Sequence, residues 1–238
     1  MLGYSCKSVL VALLFVLATQ SACHTNPFLR QDGFGSIRAG EYEAARDKFA
    51  EAVDRHPADY SAQYHLGVAE LKLGNLLAAQ LALEKALTLR PDDRVLTPKI
   101  LDELAEALFQ QGRYESLYSL LVSATRNYRT TGAYLRQGEY LARSGDLDGA
   151  KVAFQKAAYF AERTDADPYL AIADFYESIN DVPNSVKALR YAYYVYPQHP
   201  DIPDRFRKFG LVPGPTLRSE PPKPELLHGP VRTVRRSF

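Results

Sequence analysis

Residues 60–93, YSAQYHLGVAELKLGNLLAAQLALEKALTLRPDD, hold two apolar runs at helical spacing. The first extends from Ala62 to Leu73 and the second from Leu76 to Leu89, with Gly74-Asn75 between them and Arg90-Pro91 at the end. This reads as an antiparallel helix pair joined by a tight turn. Gly67 in the first helix, and Ala79 and Ala86 in the second, are small enough for two backbones to approach closely. Leu66 and Leu83 are large enough to fill the grooves beside them. One such pair leaves apolar surface on both sides, so it needs neighbours.

Neighbours of the same pattern lie on both sides. Upstream, 26–59 contains Gly40, Tyr42, Ala45, Phe49, Ala52 and Pro57 in register. Its first half, with Gly33 and Gly35, is expected to be a poor helix because glycine is the weakest ordinary helix former. Downstream come 98–130, 131–164 and 166–199, with turns at Gln111-Gly112, Ser144-Gly145 and Asn180-Asp181. Thr97 before Pro98 suits an N-cap. Leu117 occupies a position that is small elsewhere, which predicts looser packing in the third unit. Residues 201–210 predict a short capping helix with Phe206 and Phe209 on one face. The tyrosines 191, 193, 194 and 196 would either pack against it (Tyr193 and Tyr196 above all) or offer a partner a sticky patch.

The spacing Leu66-Gly67, Ala79, Leu83, Ala86, Pro91 in a 34-residue unit resembles the tetratricopeptide repeat (TPR). The expected fold is therefore an all-α TPR superhelical solenoid of about five helix-turn-helix repeats over 26–210, closed by the capping helix. The resemblance implies a protein-binding scaffold whose first helices line an inner groove. The positions that would point inward in the third to fifth repeats are Asp102, Glu103, Glu106, Glu139, Asp167, Asp174 and Glu177, with the bases Lys99, Arg136 and Arg143. Seven acids against three bases predict a groove for basic partner segments. The Lys, Asn and Arg set with which TPR adaptors of chaperones clamp a C-terminal carboxylate is not visible here.

Residues 1–22 read as an export signal: Lys7 near the start, an unbroken apolar run over 9–18, then Thr19-Gln20-Ser21-Ala22. Ten residues span only about 15 Å as a helix, half a bilayer core. Ser21-Ala22-Cys23 resembles the end of a bacterial lipobox, which implies lipidation of Cys23 and a membrane anchor. Gln20 stands where that motif carries Leu, Ile or Val. Ordinary cleavage near Ser21 or Ala22, leaving Cys23 as a free thiol, is the other reading. His24 after the cysteine implies sorting to the outer membrane, and residues 23–25 would form a short linker. Signal, lipobox and tandem repeats together resemble the small TPR lipoproteins that help assemble pili or secretion channels.

Composition narrows the chemistry. A formal net charge of +1 argues against a nucleic-acid binder. Both cysteines, Cys6 and Cys23, precede the repeats, so no disulfide framework or cysteine nucleophile is expected in the folded body. The five histidines are scattered, and no phosphate loop, metal-ligand spacing or cofactor motif is present, so a non-catalytic role is expected. The rival is an envelope enzyme, or a regulatory subunit of one, built on His65 and neighbouring carboxylates such as Glu70. Residues 211–238 contain six prolines and carry net +3, and read as a disordered tail. That tail would either stay solvated or touch anionic lipid, cell wall, an acidic partner or the acidic groove itself.

Overall fold

The structure, a computed structural model, describes residues 27–222. The signal reading, Cys23 and the tail arginines 232, 235 and 236 lie outside the described residues. Among the described residues the regular elements are all helical: α1 (Pro27–Ala39), α2 (Tyr42–Arg55), α3 (Tyr60–Lys72), α4 (Leu76–Leu89), α5 (Leu96–Gln110), α6 (Tyr114–Tyr128), α7 (Thr131–Arg143), α8 (Leu147–Phe160), α9 (Asp167–Ser178), α10 (Val182–Val195) and α11 (Ile202–Lys208), then a 3-10 turn at Pro215–Leu217. The chain divides into two compact units between Gln111 and Gly112. The first contains α1–α5, the second α6–α11.

The turns fall where the sequence puts them. Gly74 takes φ +79° between α3 and α4, the left-handed conformation that ends a helix within one residue. Asn180 does the same between α9 and α10 at φ 58°, being the side chain that tolerates this region best after glycine.

In the first unit each helix packs against its successor in sequence. α1 departs from expectation: it runs unbroken through Gly33 and Gly35. The reason is tertiary. A Cβ on Gly33 would lie 2.8 Å from the Phe49 ring, so the missing side chain is what lets α2 approach. The same arrangement places Gly67 against Leu83, where a Cβ would meet Cγ at 2.6 Å. Phe49 and Leu83 are both fully buried. Close packing therefore outweighs the helix penalty of about 1 kcal/mol for glycine.

A second departure concerns the start of α5. The cap is Asp93, whose carboxylate accepts from the backbone N–H of Leu96 at 2.8 Å and Val95 at 3.0 Å. Thr97 instead lies buried in the first turn, its hydroxyl 3.2 Å from the Arg90 carbonyl and 3.1 Å from that of Pro91. A carboxylate accepts backbone N–H bonds more strongly than a hydroxyl, which leaves the threonine free to tie α5 to the end of α4.

In the second unit α7 packs on α8, α9 on α10, and α11 closes on α10. Gly138 repeats the close approach, with a Cβ placed 2.6 Å from Phe154. A small cleft of about 150 Å³ lies beside Leu117 and Leu121, at the position expected to pack loosely. The C-terminal core gathers Leu189, Tyr193, Ile202 and Phe206, with Phe209, Leu211 and Leu217 packed against it. Tyr193 meets Phe206 edge-on at 5.7 Å, whereas Tyr196 remains exposed and turns to His199. Only one of the two tyrosines expected on the capping helix thus packs there.

Residues 211–222 also differ from the expected disorder. Arg190 ties this segment to α10, its Nε donating to the Leu217 carbonyl at 3.1 Å and its own carbonyl accepting from Ser219 N–H at 3.2 Å. The Arg218 guanidinium lies 5.0 Å from the Tyr193 ring centre. Proline-rich composition removes helical periodicity but not the ability to lie along a helix, and here the partly buried Leu211 and Leu217 hold the segment against the C-terminal core.

Candidate functional site

In the first unit, α3 and α5 are adjacent first helices of successive repeats, and α5 carries Lys99, Asp102, Glu103 and Glu106. Lys99 and Asp102 are exposed, Glu103 and Glu106 half-buried. Burial pushes the Glu103 carboxyl up; Lys72 pulls against this, and Asp102 and Glu106 add to it. Tyr64 on α3 is buried, and that burial together with the charges of Glu103 and Asp102 pushes its phenol up to about 12. Such a face favours cationic groups by field and offers a phenol O–H that stays protonated across physiological pH.

The second unit places its expected groove residues differently. Arg136 is buried, Glu139 and Asp167 are exposed, and Arg143 reaches Glu139 at 3.7 Å while lying 4.8 Å from the Tyr140 ring centre. Asp174 and Glu177 face the capping helix. Arg205 on α11 bonds to Asp174 Oδ1 and Glu177 Oε1, each at 2.6 Å, and Lys208 Nζ reaches Glu177 Oε2 at 2.7 Å. Burial pushes Glu177 up, but the hydrogen bonds and charges of Arg205 and Lys208 outweigh it and hold the carboxyl below its usual range. Two of the seven acids therefore clamp the fold's own end.

Arg205 and Lys208 were not among the expected groove residues. Their signal was present: acids three apart near the end of α9, and a last turn of α11 rich in Arg and Lys. With them counted, the second unit's four acids meet four bases, and the acidic excess stays on α5.

His65 does not form the rival catalytic arrangement. Its ring sits among Phe34 at 4.6 Å, Tyr64 at 4.7 Å and Phe49 at 5.2 Å. Nδ1 lies 2.7 Å from the Ser61 carbonyl, which can only accept, so Nδ1 carries the proton. Burial lowers the ring's pKa, and the charges of Arg30 and Lys99 lower it further, against the Ser61 bond and Asp59. Among the described residues no carboxylate hydrogen-bonds to it, and no group of three His, Cys, Asp or Glu side chains is placed to hold a metal ion.

A second concave feature lies apart from the expected groove and includes Tyr191 and Tyr194 of the C-terminal tyrosine cluster. In the second unit a cleft of about 850 Å³ opens between α8 and α10, with α9 as its floor. Tyr159, Tyr169, Tyr176, Tyr191 and Tyr194 line it, and Pro221 and Pro222 close one edge. α9 thus turns Tyr169 and Tyr176 to this cleft and Asp174 and Glu177 to α11.

Paired helices with small residues at the crossings, left-handed turns and a capped end define an all-helical repeat fold. Residues 37–94 match the tetratricopeptide repeat family. TTC0263, a thermophilic TPR protein of Thermus thermophilus, superposes with a TM-score of 0.54 at 24% identity, over 76% of this chain and 97% of that one. The structure of MamA from residue 41 to its end, from Desulfovibrio magneticus RS-1, gives 0.55 at 17% identity, over 74% and 97%. Another MamA structure gives 0.54 at 19%, over 80% and 98%. No curated protein matches the chain. The chain therefore has the fold of the tetratricopeptide-repeat proteins, and its residues 37–94 match that repeat in sequence.

Proposed function

We propose that the protein is a non-catalytic adaptor of a bacterial cell envelope, exported through residues 1–22 and held at the outer membrane by acylated Cys23. Its partners present basic segments to the α3–α5 face, in the assembly of a pilus or secretion complex. The observation that carries the docking face is the acidic excess on α5, where Asp102, Glu103 and Glu106 outnumber Lys99; burial first, and the charges of Glu103 and Asp102 after it, push the neighbouring Tyr64 phenol up to about 12. A lysine or arginine brought there gains both the carboxylate field and a phenolic oxygen. The export signal and the Ser21-Ala22-Cys23 triplet support the envelope setting. Stable membrane binding takes at least two acyl chains, which lipoprotein modification of Cys23 supplies.

The test has two arms in the native host. Cys23→Ser should move the protein from membrane to soluble fractions and abolish acyl labelling; unchanged fractionation, with no label on the parent, would refute the anchor. Affinity capture should retain partners through Glu103 and Asp102, so that Asp102→Lys with Glu103→Lys loses them. Indifference to both reversals would remove α5 as the docking face.

A further inference from the structure

We infer that the tyrosine-lined cleft between α8 and α10 is the docking site of the chain's own segment Lys223–His228. The structure brings the chain to its edge: α10 holds residues 217–219 through Arg190, and Pro221 and Pro222 then line the cleft. The sequence that follows, Lys223-Pro224-Glu225-Leu226-Leu227-His228, has the chemistry of the walls.

Proline at 221, 222 and 224 is the composition that favours polyproline II, a conformation that packs proline rings against aromatic faces and needs no backbone partners. Tyr159 and Tyr194 are 41% and 46% exposed, large apolar rings left facing the cleft. The length fits. The walls are helices of 14 residues, about 21 Å long at 1.5 Å per residue. Six residues of polyproline II cover about 19 Å.

Charge fits as well. Lys151, Arg163 and Lys187 line the cleft with Glu162 and Glu220, and none of the three bases makes an ion pair with a described acid. Glu225 supplies a carboxylate midway along the segment, and Leu226 and Leu227 supply apolar side chains for a floor that includes Ile172 and Phe175 of α9, beside Phe154 of the α8 wall. Because the segment is tethered, its effective concentration is of millimolar order, so even weak intrinsic affinity keeps the cleft filled.

The experiment uses the full chain and a variant carrying Leu226→Asp and Leu227→Asp, probed with a labelled peptide of residues 219–230. The variant should bind the peptide about tenfold more tightly than wild type, since a cleft nine-tenths self-occupied loses that factor. A photo-crosslinker placed at Leu226 in the otherwise unaltered full chain should give intrachain adducts on α8, α9 or α10. Equal peptide binding by both chains, or none by either, overturns the inference. Adducts between chains overturn it too and assign the cleft to a second copy, and adducts elsewhere on the chain overturn it outright.

Discussion

Arg205 on the last helix reaches Glu177 on α9 at 2.6 Å, with both side chains 19% exposed. This ion pair, extended by Asp174 and Lys208, fixes the end of the second unit. Hydrogen bonds to charged groups are worth about 1.5–3 kcal/mol, so Arg205→Ala should destabilise by that order in a denaturant melt. Glu177 titrates below its usual range, so its contribution is complete above the unfolded carboxyl value of 4.5 and lost as pH falls through the folded one. In Glu177→Gln that acid-side loss should shrink, as read from melting temperatures between pH 7 and pH 3.

Glycine substitutions should divide sharply by position. Gly67→Ala and Gly138→Ala each drive a Cβ to 2.6 Å from a buried side chain, and should cost about 1–3 kcal/mol. Gly35 lies inside α1, where an added Cβ would meet nothing within 4 Å, so Gly35→Ala should stabilise by about 0.5–1 kcal/mol. Equal effects in thermal melts would contradict the close crossings.

His65 should make the first unit sensitive to mild acid. Its folded pKa lies below the ordinary 6.5, so the unfolded state binds the proton first. Stability from the neutral ring is fully present above pH 6.5 and declines as pH falls below it. His65→Phe keeps the aromatic packing and should flatten the melting temperature across that range. A variant with the parent's pH slope would assign the effect elsewhere.

Binding at the α3–α5 face should be salt-sensitive. Exposed charges are screened over about 8 Å at physiological ionic strength, so capture of a Lys-rich peptide should weaken as salt rises. Glu103→Gln should weaken it further, whereas Asp174→Asn, on the α11 side of α9, should leave it unchanged. Surface-bound peptide measured by fluorescence anisotropy distinguishes the two.

The helix pairs were legible because their evidence is local: periodic apolar residues, turn glycines and prolines after the second helices. Gly33 was misread for the opposite reason. Its justification is the Phe49 ring on the next helix, which helix propensity does not contain. The site was legible only in part. Side-chain spacing placed Glu177 at an inward position of the fifth repeat, but not that Arg205, 28 positions later, would cover it. Residues 211–222 carried no periodic signal at all, since an irregular segment of prolines and polar residues is defined by what it lies on.

The close crossings also constrain how the chain can change over generations. Gly33 and Phe49, Gly67 and Leu83, and Gly138 and Phe154 are each sixteen positions apart, and Ala173 stands at the same interval from Leu189, both fully buried. Each couple behaves as one heritable unit. At Gly138 a change to alanine meets the Phe154 ring, and leucine opposite would not by itself relieve the crossing, since a Cβ on Gly67 would lie 2.6 Å from Leu83 Cγ. The fifth repeat, with alanine opposite leucine, accommodates a Cβ where the second cannot, so the opposing residue alone does not set the room at a crossing. A substitution at either member of such a couple is therefore judged by its partner and by the spacing of the two helices, not by the residue alone.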